Sequence, residues 1–181
     1  MKVDVKEAPD EQLMQAVGRG NLEAFNELVS RYQQLAWKTA YRFLDDAMEA
    51  EDVAQECFLR ILEAASRYRP TATFRAYFHR ILVHLCIDSA RRKHPVSIDA
   101  IPEMPASSSS PAQSLIEKER SAQVRKALDA LPPNQKAAMI LKHYEGLSYD
   151  EIARILGVTP KAVERLLSRA RTSLQASVSY L

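Results

Sequence analysis

Apolar residues along this chain recur at intervals of three and four rather than two, and runs of β-branched residues are missing. That spacing stacks apolar side chains on one face of an α-helix and predicts helix wherever it holds. It holds in two blocks. The first predicts helices near 10–18, 21–44, 48–65 and 73–92; the second predicts them near 112–130, 133–144, 148–156 and 160–176. Punctuation residues stand at the ends. Asn21 can cap a helix, Pro70 follows one, Pro132 and Pro133 open another, and Gly146 and Gly157 fall where helices stop. No strand and no internal repeat is predicted, so the expected fold is all-α.

Between the blocks the pattern lapses. Residues 95–116 hold four of the nine prolines and the run Ser107 to Ser110, with Asp99 and Glu103 and no Lys or Arg. Such a stretch buries too little apolar surface to offset its ordering entropy. The expected layout is a domain over 1–94, a flexible Ser/Pro linker over 95–116 and a second small helical domain over 117–181. A linker of that length reaches roughly 70 Å at about 3.3–3.6 Å per residue.

Composition narrows the chemistry. The chain has 181 residues, is 46% hydrophobic and carries a net charge of +2. Four scattered glycines are too few for a phosphate-cradling loop or a dinucleotide fingerprint. Cys57 and Cys86 lie far apart without a CxxC, so neither a zinc site nor a disulfide framework is expected. His79 and His84 are five apart and do not share a helical face, so no metal site is expected there. No Ser/His/Asp or paired-carboxylate arrangement has the spacing for catalysis, and the chain is read as a non-enzyme without cofactors. With no signal-like segment at the start and no apolar run near the roughly 20 residues of a membrane span, it is expected to be cytoplasmic and not membrane-inserted.

The strongest local signal lies near the C-terminus. Ser148 followed by Glu151 forms a capping box, Gly157 offers a tight turn, Thr159 caps, and Pro160 takes the first helical position. This is a helix–turn–helix, with Ala153 small enough for the two helices to cross closely. On the second helix, Val163, Leu166, Leu167, Ala170 and Leu174 share one face. Lys161, Glu164, Arg165, Ser168 and Thr172 fall opposite, flanked by Arg169 and Arg171. Arginine forks, a hydroxyl and a carboxylate suit base edges in a major groove. A solvated charged face is the plainer alternative. Glu164 has two further readings: acceptor from cytosine or orienter of a neighbouring arginine, against a simple intrahelical pair.

The N-terminal block is polarised. Residues 45–56 carry Asp45, Asp46, Glu49, Glu51, Asp52 and Glu56 without one Lys or Arg. Residues 67–93 carry Arg67, Arg69, Arg75, Arg80, Arg91, Arg92 and Lys93 against Asp88 alone. Such polarity suits two partners of opposite sign. On the acidic helix Val53, Ala54, Cys57, Phe58 and Ile61 form the core face, and Leu59 stands among Asp52, Gln55, Glu56 and Glu63. An apolar side chain inside an acidic face suggests a protein-binding patch, although a singly exposed leucine is common. On the basic helix Phe74, Phe78, Ile81 and Leu85 face the core, leaving Arg75, Arg80, His84, Arg91 and Arg92 for a phosphate backbone. In the preceding loop, Arg67, Tyr68, Arg69 and Thr71 suit an unpaired base; the alternative for Tyr68 is packing against Phe74.

Together these residues resemble a bacterial sigma factor of the extracytoplasmic-function group. Asp52-Val53-Ala54-Gln55-Glu56-Cys57-Phe58-Leu59-Arg60 is similar to the element that docks on the β′ clamp helices of RNA polymerase. Phe74-Arg75-Ala76-Tyr77-Phe78-His79-Arg80-Ile81, with Asp88 and Arg91-Arg92, resembles the helix behind the −10 reading loop. Leu131-Pro132, Glu145-Gly146-Leu147-Ser148-Tyr149, Glu151-Ile152-Ala153 and Arg169-Ala170-Arg171 resemble the −35 reading domain.

The resemblance implies core-polymerase contacts from Asp52, Gln55, Glu56 and Leu59, and partners on both the β′ and β subunits. It implies −10 contacts from Arg67, Tyr68, Arg69, Thr71, Arg75, Arg80, His84, Arg91 and Arg92. It implies −35 contacts from Lys161, Glu164, Arg165, Ser168, Arg169 and Arg171, a linker threading the polymerase channel, and an anti-sigma factor as a further partner. Two departures stand out: Tyr77 where the family usually has Trp, and Lys161 to Leu166 in place of a more usual G-T-V-K-S-R. The competing reading is a stand-alone helix–turn–helix regulator, which leaves the acidic helix and basic loop without a role.

Overall fold

The computed structural model describes residues 5–93 and 124–179, and every regular element among them is helical. Helices α1 (Asp10–Gly18), α2 (Leu22–Leu44) and α3 (Ala47–Ala64) lead into a 3₁₀ turn, Ala65–Arg67, and then α4 (Phe74–Lys93). The C-terminal half supplies α5 (Pro133–His143), α6 (Tyr149–Leu156) and α7 (Pro160–Ser179). The helix expected at 48–65 stops one residue early and tightens into the 3₁₀ turn, and α7 outruns its expected end at 176. Of the helix expected at 112–130, only 124–129 is described and helical; the linker at 95–116 lies outside the described residues.

The ends follow capping chemistry. The Asn21 side chain accepts from the Ala24 N–H at 3.0 Å, and Asp46 accepts from the Glu49 N–H at 3.0 Å. Ser148 and Glu151 form the reciprocal box, and Gly157 closes α6 with φ 67°. Asp45 ends α2 in the left-handed region at φ 51°, a position that no glycine marked in the sequence. Gly18 is needed for a different reason: a Cβ there would stand 2.5 Å from the Ala65 carbonyl oxygen, where α1 meets the 3₁₀ turn.

In the N-terminal half α2, α3 and α4 pack mutually around Leu28, Phe43, Ile61, Phe74, Phe78 and Leu82, all buried. Tyr32 links the layers, its ring 5.2 Å from Phe74 and 4.8 Å from Phe78. The Tyr32 hydroxyl donates to Asp10 at 2.6 Å, and burial together with that bond pushes its pKa up. Arg31 ties the leading segment down through Asp10, Glu27 and the carbonyls of Lys6 and Ala8. In the C-terminal half Ile140, Leu141, Ile152, Ile155, Val163 and Leu167 form the core of α5, α6 and α7. A smaller cluster, Leu128, Leu131 and Ala170, closes its far side.

The two halves share one continuous core. α4 packs on α5 and α6, and α2 packs on α5. This explains why α4 is buried more widely than one amphipathic face allows: Leu82, Val83, Cys86 and Ile87 are covered alongside Phe74, Phe78 and Leu85, while Ile81 is only half-buried. Cys57 and Cys86 are free and buried, and burial pushes the Cys57 thiol up to about 12. No helix among the described residues is long and apolar enough to cross a membrane, and none of their side chains cluster as a metal site.

Candidate functional site

Three surfaces gather the candidate residues. The first is the outer face of α3. Val53, Ala54, Cys57, Phe58 and Ile61 are buried as their spacing requires, which turns Asp52, Gln55 and Leu59 outward. Leu59 is 54% exposed. Glu56 is half-buried and held by Arg60 at 2.8 Å, one turn on, so its charge is partly committed.

The face does not end at α3. A groove runs between α2 and α3, lined by Val29, Gln33 and Trp37 on one side and Ala54, Gln55 and Phe58 on the other. Trp37 is 38% exposed and stacks on Tyr41 at 5.0 Å. Sequence reasoning missed this wall. The signal was available: Trp37 follows Gln33 and Gln34 and precedes Lys38, an aromatic inside a polar face, as Leu59 is an aliphatic inside an acidic one.

The second surface is the loop before α4 with the outer face of α4. Arg67, Arg69 and Thr71 are exposed, as are Arg75, Arg80, His84, Arg91 and Arg92. The His84 ring nitrogen Nδ1 contacts the Arg80 carbonyl at 2.6 Å, which fixes the ring on that face. Thr73 caps α4 through its hydroxyl, accepting from the Ala76 N–H at 3.3 Å, and Glu11 accepts from the Phe74 N–H at 2.8 Å. Both bonds anchor the loop's exit.

Tyr68 corrects the expectation. It is 8% exposed and packs edge-on against Tyr77 at 5.2 Å, so it is a packed loop residue rather than a free stacking platform, and the ring it meets is Tyr77. The 3₁₀ turn aims it inward, and Tyr77, one turn into α4, supplies the receiving face. Burial pushes the Tyr68 pKa up. Arg75 is also partly engaged, donating to the Glu145 carbonyl at 3.1 Å.

The third surface is α7. Val163, Leu167 and Ala170 are fully buried against α5 and α6, with Leu166 and Leu174 half-buried. Lys161, Glu164, Arg165, Ser168, Arg169 and Arg171 are all exposed. Among the described residues no ion pair joins Glu164 to a neighbouring arginine, which removes support for the simple intrahelical pair. Beneath this helix, Glu151 accepts from the Ser148 hydroxyl and N–H at 2.7 and 2.8 Å, and these two bonds hold its carboxyl below the usual range.

An acidic face beside an aromatic groove, a basic loop and helix, and a helix–turn–helix stand on one chain. Comparison with known proteins matches both halves of the chain to one family. Residues 28–95 match the model of Sigma-70 region 2, and residues 121–174 match that of Sigma-70, region 4. The chain is 30% identical to the RNA polymerase sigma-H factor of Pseudomonas aeruginosa, over 95% of each protein. It is 35% identical to the ECF RNA polymerase sigma factor SigE of Mycolicibacterium smegmatis, over 85% of this chain and 61% of that longer relative. Among solved structures it is similar to CnrH in complex with the cytosolic domain of CnrY, with a TM-score of 0.71, 26% identity, and 94% and 97% of the two chains covered. The sigma factor RpoE of Bartonella quintana, in complex with the anti-sigma factor NepR, has the same fold, with a TM-score of 0.62 and 22% identity. The region 2 match accounts for the half that a stand-alone regulator leaves idle, and the chain belongs to the extracytoplasmic-function group of sigma-70 factors, the initiation factors that give RNA polymerase its promoter specificity.

Proposed function

We propose that the three surfaces divide the work of promoter-specific initiation. The outer face of α3 docks on core polymerase, with Asp52, Gln55 and Glu56 supplying charge complementarity and Leu59 the apolar anchor. Trp37 and the α2 wall of the groove extend that surface. Long-range charge steers such an encounter, and a desolvated apolar centre holds it. Arg67, Arg69 and Thr71 contact the opened −10 strand, while Arg75, Arg80, His84, Arg91 and Arg92 hold its backbone. On α7, Glu164, Arg165, Ser168 and Arg169 read the −35 element, and Lys161 and Arg171 hold phosphates. In this reading the docking and −10 surfaces belong to a domain over 1–94, the −35 surface to a domain over 117–181, and 95–116 serves as the linker between them. The relatives captured with anti-sigma factors support a similar inhibitor for this chain.

The observation that carries the reading is Leu59, an exposed apolar side chain on an acidic helix beside the Trp37 groove. Leu59→Arg is expected to weaken core binding at least tenfold while helicity by circular dichroism is unchanged. Unaltered affinity for core enzyme overturns the docking assignment.

A further inference from the structure

Helix α1 carries none of the residues assigned to the three surfaces, yet it lies against both ends of the loop before α4. Glu11, Met14 and Gly18 stand at i, i+3 and i+7 and so share one face of α1. The helix packs on the 3₁₀ turn, on α3 and on α4. At the loop's entry, Gly18 meets the 3₁₀ turn. A Cβ there would stand 2.5 Å from the Ala65 carbonyl oxygen, the atom that accepts from the Tyr68 N–H at 3.2 Å. Glycine lets α1 come this close to the bond that closes the turn. At the loop's exit, Glu11 Oε1 accepts from the Phe74 N–H at 2.8 Å. Met14, between them on the same face, is fully buried.

The bond from Phe74 is a cap supplied from a distance. The first turn of α4 leaves backbone N–H groups without intrahelical partners. Thr73 serves the Ala76 N–H from within the loop, as a local cap does. The Phe74 N–H is served from 63 residues away, by a carboxylate, the group that the positive end of a helix dipole favours. A local cap fixes only its own helix; this one ties the start of α4 to α1. The tie has a firm base. Asp10, the neighbour of Glu11, accepts from the Tyr32 hydroxyl at 2.6 Å and pairs with Arg31 at 2.8 Å, both on α2.

Glu11 and Gly18 are about 10 Å apart along the helix axis at about 1.5 Å per residue. The six residues 68–73 extend to roughly 20 Å at about 3.3–3.6 Å each. Supports closer than that reach make the loop arch rather than run straight, and Arg69 and Thr71 are exposed on it. A loop ordered only on taking hold of its ligand loses affinity to that ordering, and one whose ends are fixed beforehand loses less.

We propose that α1 is a splint for the loop before α4 and that Glu11 is a positioning residue for capture of the −10 strand. This rests on the assignment of that loop to the −10 strand made above.

Amide hydrogen exchange by NMR on the full chain reads the splint directly. In Glu11→Ala the Phe74 amide is expected to exchange at least about tenfold faster than in wild type. Leu82, in the interior of α4, reports overall stability, and the rise at Phe74 is expected to exceed the rise at Leu82. Glu11→Gln keeps an oxygen that accepts the same bond and is expected to keep most of the protection.

Binding of a single-stranded −10 oligonucleotide by the polymerase complex is the second readout. Both variants lose the same charge, so the difference between them isolates the hydrogen bond from any change in repulsion of phosphates. Glu11→Ala is expected to bind about three- to tenfold more weakly than Glu11→Gln, the range that loss of a cap corresponds to. Affinity for core and preference among −35 sequences are expected to stay constant. Arg67→Ala combined with Arg69→Ala is the reference for the loop itself and is expected to weaken strand binding in its own right. A rise at Phe74 no larger than that at Leu82 is general destabilisation and overturns the splint. Equal strand affinity in Glu11→Ala and Glu11→Gln, where the double arginine variant binds weakly, overturns the positioning role. If the double arginine variant binds the strand as wild type does, the −10 assignment of the loop is what fails, and faster exchange at Phe74 in Glu11→Ala still supports α1 as the brace of the loop.

Discussion

The two regions proposed to face DNA are built in opposite ways. On α7, core and surface alternate by helical geometry: Val163, Leu167 and Ala170 are buried, and Lys161, Glu164, Arg165, Ser168 and Arg169 are exposed. A side chain's destination there follows from its position on the wheel. The loop before α4 has no such period. Arg67 and Arg69 are exposed while Tyr68 between them is buried, because a 3₁₀ turn and a receiving tyrosine on α4 decide where it goes. In one region the exposed polar groups sit on top of the core; in the other the core reaches up into the loop itself.

The sharpest way to break that comparison is Tyr68. As a core residue, Tyr68→Ala is expected to lower unfolding free energy by about 3–5 kcal/mol, the range for deleting a buried ring. Urea denaturation measures it. Tyr68→Phe removes a hydroxyl that finds no partner among the described residues, so stability is expected to hold or rise. If Tyr68→Phe leaves stability alone but impairs strand opening, detected by permanganate, then Tyr68 reaches the DNA and the two regions are not opposites.

The mirror experiment is on α7. Arg165→Ala and Arg169→Ala are each expected to leave unfolding free energy within about 0.5 kcal/mol, since both side chains are exposed. Each is expected to lose roughly 1–3 kcal/mol of discrimination at one base pair of the −35 element, if its fork is bidentate to guanine. Selection of preferred −35 sequences by each variant measures this. Retention of the parent preference at every position removes both arginines from the reading set.

How far the sequence was legible follows the same line. Periodicity places the α3 core face and the α7 faces, and capping chemistry places Asn21, Ser148 and Pro133 at helix starts. What periodicity cannot express is packing between elements remote in sequence. Tyr68 is buried by Tyr77, Trp37 becomes half of a groove only when α3 lies beside α2, and His79 is covered because the C-terminal half closes over α4. Glu145 belonged to a recognisable motif, but its partners Thr39 and His79 lie 106 and 66 residues away. No local pattern could have paired them.

A smaller effect tests the scaffold beneath α7. Ser148→Ala removes the capping box of α6, the helix on which α7 rests, and is expected to cost about 1 kcal/mol of stability. The exposed face of α7 proposed to read the −35 element is itself untouched. Preference among −35 sequences is therefore expected to stay constant while the melting temperature falls. A changed preference means that the position of α7, and not only its exposed residues, sets specificity.

The smallest expected effect separates holding from reading within one face. Lys161 sits in the first turn of α7, after Pro160 at the start and the Thr159 cap, whose hydroxyl accepts from the Ala162 N–H at 3.2 Å. An ammonium there is a point charge beside the positive end of a helix dipole, suited to a phosphate and poorly suited to choosing a base. Neutralising one phosphate releases about 0.9 of a counterion from duplex DNA, so Lys161→Ala is expected to flatten the slope of log affinity against log salt by about that amount. The loss is expected to be equal for every −35 sequence, measured as binding of the polymerase complex to duplexes across a salt series. A loss concentrated at one base pair, with the slope unchanged, places Lys161 among the reading residues and moves the boundary between the two roles one turn toward the start of α7.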